Sequence, residues 1–117
     1  MSEPLLIYTT WPDAESALAF AESAVAEGLA ACANVLAPLT SVYRWKGAVE
    51  RASETPMLLK TTRVRVKELE ARFVQAHPYD TPAFVAWPLD LFGSHGPFLD
   101  WLRQETACSS LSPVDPQ

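Results

Sequence analysis

The run from residue 30 to 62, AACANVLAPLTSVYRWKGAVERASETPMLLKTT, constrains the fold more than any other part of the chain. Both its ends are apolar, and its middle interleaves Val42, Tyr43, Trp45 and Val49 with Arg44, Lys46, Glu50 and Arg51. Gly47, near the centre, is its only glycine. A Lys-Gly pair between β-branched and aromatic flanks predicts a tight hairpin turn, because glycine takes the positive φ such turns need. The two strands so joined are far longer than the usual ~5–6 residues. A chain of 117 residues cannot cover such a ribbon with its own elements, so the outer half must pair with or pack on something else. Tyr43 and Trp45, on either side of Arg44, share one strand face. That favours interface packing over a platform for stacked bases. Glu50 and Glu54 share a face of the following strand, where edge solubility and pairing between subunits are expected of them.

Composition narrows the class. The length suits one domain, and 49% hydrophobic residues suit a globular one. A net charge of −5 argues against nucleic acid or an anionic membrane as partner. No apolar run approaches the ~18 residues of a membrane span. The first residues lack a basic-then-apolar signal pattern, so a cytoplasmic location is expected. Two cysteines, Cys32 in a predicted strand and Cys108 in a polar tail, make no disulfide framework and are read as thiols.

In chain order, residues 4–10 (PLLIYTT) predict a buried strand. Pro12 and Asp13 start a helix whose stripe of Ala17, Ala21, Ala24 and Val25 allows close packing on a sheet, and Gly28 ends it. The long hairpin follows. A second helix after Thr62 turns Val66, Leu69, Phe73 and Ala76 inward and pairs Glu68 with Arg72 outside. Pro78 stops it. Residues 81–89 predict a further strand, which Pro82 and Pro88 confine to an edge or a bulge. Phe98, Trp101 and Leu102 then give one face of a short helix, and Trp87 and Trp101 are expected as core or cover residues. Residues 1–106 form one domain, and 107–117, rich in Ser and Pro, a flexible tail. The order β-α-β-β-α-β plus a terminal helix is α+β and ferredoxin-like, with an antiparallel sheet and the main helices on one face.

In their order and spacing, LAACANVL, SVYRWKGAVE, LLKTT, HPYDTP and FLDWL resemble the CutA family of divalent-cation tolerance proteins over roughly residues 4–106. The resemblance implies a ferredoxin-like protomer, similar in architecture to PII signalling proteins and joined as a homotrimer through its long hairpins. It also implies a role in the response to metal ions, with copper binding. Cys32 and His77 match positions implicated in copper binding by a bacterial member. The third sulfur ligand proposed there falls where this chain has Thr9, and Phe98 stands where the family commonly has Tyr.

The residues themselves leave alternatives open. Thiolate and imidazole suit copper or zinc, which makes Cys32 and His77 the candidate metal ligands. Equally, Cys32 could be a small buried hydrophobe in its strand, and His77 a helix-terminal residue bonded to a carbonyl. The corner His77-Pro78-Tyr79-Asp80 could line a pocket between subunits or simply stop the helix. Lys60 could present its ammonium to a carboxylate or phosphate in the same pocket as Tyr79 and Asp80, or pair with Glu50 or Glu54 of a neighbour. His95 is expected in an exposed loop.

The chain carries no nucleophile elbow, HExxH or paired-cysteine motif. Four glycines leave little room for a phosphate-cradling loop. The expectation is therefore a non-enzyme without an organic cofactor, whose partners are itself and divalent metal ions. Three readings stand: a copper or divalent-metal protein, a PII-like sensor of an anionic metabolite, or a trimeric protein-interaction scaffold.

Overall fold

The computed structural model describes residues 2–107. Its order is β1 (Pro4–Trp11), α1 (Ala14–Ala26), β2 (Cys32–Val35), β3 (Leu39–Trp45), β4 (Ala48–Thr62), α2 (Arg63–Ala76), β5 (Phe84–Pro88) and α3 (Gly96–Glu105). All strand pairings are antiparallel. The sheet runs β2-β4-β1-β5, with β3 also on β4, so the α+β ferredoxin-like arrangement holds. Residues 108–117, which contain Cys108 and most of the expected tail, lie outside the described residues.

The predicted hairpin is present, with one difference. Its second arm is a single strand of 15 residues, β4, whereas the first arm is divided into β2 and β3. Between the pairs Val35↔Met57 and Leu39↔Glu54 the first arm carries one residue more than the second. That is the count of a bulge, placed at Leu36, Ala37 and Pro38, where proline lacks a ladder donor. The turn behaves as its residues require, with Lys46 at φ 50 and Gly47 at φ 84, the two positive angles of a tight hairpin loop.

Because β1 reaches only Thr55 on β4, the segment from Ala48 to Glu54 has β3 as its one strand partner among the described residues. The outer ribbon is therefore two-stranded, and the protomer is elongated at 54 × 30 × 23 Å.

The core lies between the sheet and the helices α1 and α2. Leu5, Ile7, Met57 and Leu59 meet Ala17, Phe20, Ala21, Ala24, Leu69 and Phe73 there. Asp13 caps α1 by accepting from the Ser16 amide at 2.8 Å, and that backbone hydrogen bond holds its carboxyl below the usual range. Ala17, Ala21 and Ala24 of the predicted stripe are buried together with Phe20, whereas Val25, expected on the same face, is 40% exposed. Trp11 completes the core, its ring 5.3 Å from those of both Phe20 and Phe73. Its indole donates to Thr9 Oγ1 at 3.0 Å.

Alternation along the strands sends Leu6, Tyr8, Leu58, Val85 and Trp87 to the opposite face, which α3 covers only at one end. There Arg65 Nε donates to Thr106 O at 3.2 Å, and the Thr62 and Thr106 hydroxyls meet at 3.1 Å.

Three expectations about inward faces are corrected. Helix α3 buries Leu99 and Leu102, not Phe98 and Trp101. Trp87 and Trp101 are 43% and 40% exposed rather than covered. Ala76, in the last turn of α2, is exposed, and the buried residues of that helix are Arg65, Leu69 and Phe73.

Phe73 touches Trp11, Phe20, His77 and Phe84 and is fully buried. Phe73→Ala should therefore cost about 3–5 kcal/mol, read as a lower denaturant midpoint at matched protein concentration. A midpoint unchanged from wild type would show that this aromatic cluster is not the core.

Candidate functional site

The candidate residues fall into two groups on the same strand, β4. At the end nearer α2, Lys60 stands directly opposite Cys32 in the antiparallel register. Its Nζ donates to Asn34 Oδ1 at 2.7 Å and lies 3.5 Å from Cys32 Sγ. Asn34 is two residues beyond Cys32 and so shares its face. The Phe98 ring of α3 sits 5.8 Å from the same ammonium. Cys32 is a free, partly exposed thiol.

The second group forms where the ribbon leaves the body. His77 ends α2 with φ −83 and ψ 137, the extended conformation a following proline imposes. Its ring is 6% exposed, packed 4.5 Å from Trp11 and 4.6 Å from Tyr79 between centroids. The Tyr79 amide donates to His77 Nδ1 at 3.2 Å. The other nitrogen, Nε2, therefore carries the proton and donates to Thr10 O at 2.8 Å. Both nitrogens are engaged inside one protomer.

Beyond this corner lies Glu54, only 8% exposed. Burial first, then this carboxylate, pushes the Tyr79 phenol up to about 12. The Tyr43 phenol is also raised, by burial first and by Glu50 next. Tyr43 stands opposite Glu50 in the ribbon. Trp45, at the tip, is 43% exposed, and Asp80 is exposed in the bend after Tyr79.

Within one protomer these groups stay apart. Glu54 and Lys60 lie six positions apart on β4, roughly 20 Å at ~3.3 Å per residue. Lys60 therefore does not meet Tyr79 and Asp80 in the same chain, nor does Cys32 meet His77. Among the described residues no three His, Cys, Asp or Glu side chains converge to hold a metal ion. Thr9, at the position of the third ligand implied by resemblance, is closed off. It is fully buried and donates to Met57 O at 3.1 Å. As a metal centre, then, the donor set of a single chain does not fit.

Two parts of the site escaped the sequence reading. Asn34 as the holder of Lys60 was recoverable from period-two spacing with Cys32. The burial of Glu54 beside Tyr79 depends on the corner after α2, and nothing local to Glu54 signals it.

The family model for the CutA1 divalent ion tolerance protein matches residues 5–105. The chain belongs to the CutA1 family. It is 42% identical over 106 residues to the divalent-cation tolerance protein CutA of Thermus thermophilus, covering 91% of this chain and 99% of that one. To the CutA of Pyrococcus horikoshii it is 37% identical, covering 87% and 97%. Human Protein CutA is 35% identical, and there the match takes in 85% of this chain but 54% of the longer protein. Among solved structures, CutA1 from Shewanella sp. SIB1 superposes with a TM-score of 0.86 at 34% identity, covering 92% of this chain and 98% of that one. The Thermus thermophilus Cut A1 structure gives 0.85 at 38%, covering 89% and 99%. The family takes its name from tolerance of divalent ions and not from a catalysed reaction.

Because the folded Tyr79 phenol lies above the ordinary tyrosine value of 10.0, its contribution to stability is whole below pH 10. It declines as pH rises from there through about 12, where the unfolded chain has already lost the proton. In a spectrophotometric titration Tyr79→Phe should remove the latest phenol transition, and Glu54→Gln should bring it down toward the ordinary value. An unmoved transition in Glu54→Gln would refute the contact between the two.

Proposed function

We propose that this CutA1-family chain acts as a non-enzymatic homotrimer in the cytoplasm and that it serves the response to divalent metal ions. The observation that carries the reading is the half-paired ribbon. Among the described residues the segment from Ala48 to Glu54 has one strand partner, and β2 and β5 are edge strands of the sheet. Val42 and Val49 are 65% and 67% exposed, beside Tyr43 and Trp45. Such edges and apolar side chains call for strands of another copy. Head-to-tail pairing that closes on itself gives a ring.

Metal binding follows as a property of the assembly. A single chain offers the Cys32 thiol but keeps His77 engaged on both nitrogens. Copper or another soft divalent ion would therefore take its donors from more than one copy, with the partly exposed Cys32 sulfur more accessible than the buried His77. His77 could join only by releasing the Tyr79 amide. A second reading, a PII-like site for an anionic metabolite, is favoured by Lys60, whose hydrogen-bond partners, Asn34 and Cys32, carry no carboxylate. In a trimer Lys60 of one chain and Tyr79 and Asp80 of another could share a cleft.

Trp45→Arg should dissociate or precipitate the trimer, since it puts a charge into an apolar contact. A soluble trimer of unchanged sedimentation would rule out this interface. For the metal, calorimetric titration of copper and zinc into wild type, Cys32→Ser and His77→Ala should show binding lost in the first variant and largely kept in the second. Equal binding by all three would remove Cys32 from the site. Titrating a dicarboxylate under the same conditions tests the second reading, for which saturable binding must vanish in Lys60→Ala.

A further inference from the structure

Cys32 and Lys60 are two nucleophilic side chains from adjacent strands, directly opposed in register and 3.5 Å apart between Sγ and Nζ. That separation is already that of a near-attack pair, ~3–3.5 Å. Asn34 Oδ1 holds the nitrogen at 2.7 Å. That contact and a second N–H donated toward Cys32 Sγ hold Nζ beside the sulfur. The Phe98 ring of α3 lies 5.8 Å from the nitrogen on the same face.

We propose that oxidation of Cys32 by a peroxide is captured by Lys60 as a covalent sulfur–nitrogen bond, a reversible staple between β2 and β4. In the first step the thiolate attacks a peroxide oxygen. The O–O bond breaks, sulfur is oxidised by two electrons to the sulfenic acid, and with hydrogen peroxide one water leaves. In the second step the Lys60 amine attacks that sulfur. The S–O bond breaks, and the hydroxide departs as water with a proton from nitrogen. The product is the sulfenamide Cys32 Sγ–Nζ Lys60, analogous to the known capture of sulfenic acids by nitrogen. Thiols reopen it. The link is independent of the metal reading, since neither step uses a metal ion.

The test uses the full chain carrying Cys108→Ser, which removes any competing Cys32–Cys108 disulfide, in the presence of a chelator. Stoichiometric hydrogen peroxide at mildly alkaline pH should lower the intact mass of the monomeric chain by two hydrogens. Dithiothreitol should restore it, and a tryptic map should join the peptides that contain residues 32 and 60. Cys32→Ser and Lys60→Arg, each checked for an unchanged circular dichroism spectrum, should abolish the loss. A mass that rises only by whole oxygens on Cys32 would overturn the proposal. So would a two-hydrogen loss that persists in Lys60→Arg, because the nitrogen would then come from elsewhere. The joined peptide in the otherwise unaltered chain stands as evidence even if a variant misfolds.

Discussion

The backbone of β4 has more hydrogen-bonding groups along its length than the strands among the described residues pair with. Over its inner half the strand pairs with β1 from Thr55 to Thr62 and, on the other side, with β2 from Met57 to Lys60. Over its outer half only β3 remains. A two-stranded ribbon is marginal by itself in water, and this one also displays valine, tyrosine and tryptophan side chains. The compact end of the protomer supplies the anchorage: β1 is central in the sheet, α1 and α2 close one face, and α3 is clasped to the other through Arg65 and Thr106. The ribbon is thus rooted in the packed body, because β4 runs without a break from the core into the outer arm.

The same strand separates the chemistry into two halves. Its inner end gathers a cation, a thiol and an amide. Its outer end gathers a buried carboxylate, two raised phenols and an imidazole fixed in one tautomer. His77 contributes to the second group by position: bridging Thr10 and Tyr79, it ties α2 and the Tyr79 bend to β1, and Tyr79 in turn reaches Glu54. A proline immediately after the helix is what makes this possible, because it forces the chain outward at the residue whose ring must turn in.

The fold was largely legible because its signals are local. A short apolar run marked β1, the apolar end of the long stretch marked the inner half of β4, alanine spacing marked the packed face of α1, and Lys46-Gly47 marked the turn. The division of the first arm was harder to see. Leu36-Ala37-Pro38 reads as apolar strand, and the surplus residue shows only when both arms are counted against each other. The inward face of α3 was misread because aromatic residues were taken as the buried ones. In a protomer whose sheet face lies open, Phe98 and Trp101 stay outside, and the smaller Leu99 and Leu102 fill the contact. Cys32 with Lys60 and His77 with Tyr79 were each recognisable as residue types. Their distribution to opposite ends of one strand depends on register, which composition does not carry.

The surplus residue between β2 and β3 has the count of a phase shifter. Strand side chains have a period of two, so an odd insertion taken alone reverses which side of the ribbon every later residue shows. Beyond the junction the turn at Lys46-Gly47 ties β3 to the unbroken β4, with Tyr43 opposite Glu50 and Trp45 opposite Ala48. The extra residue is thus absorbed where it sits, and the aromatic pair keeps the side that β4 assigns it.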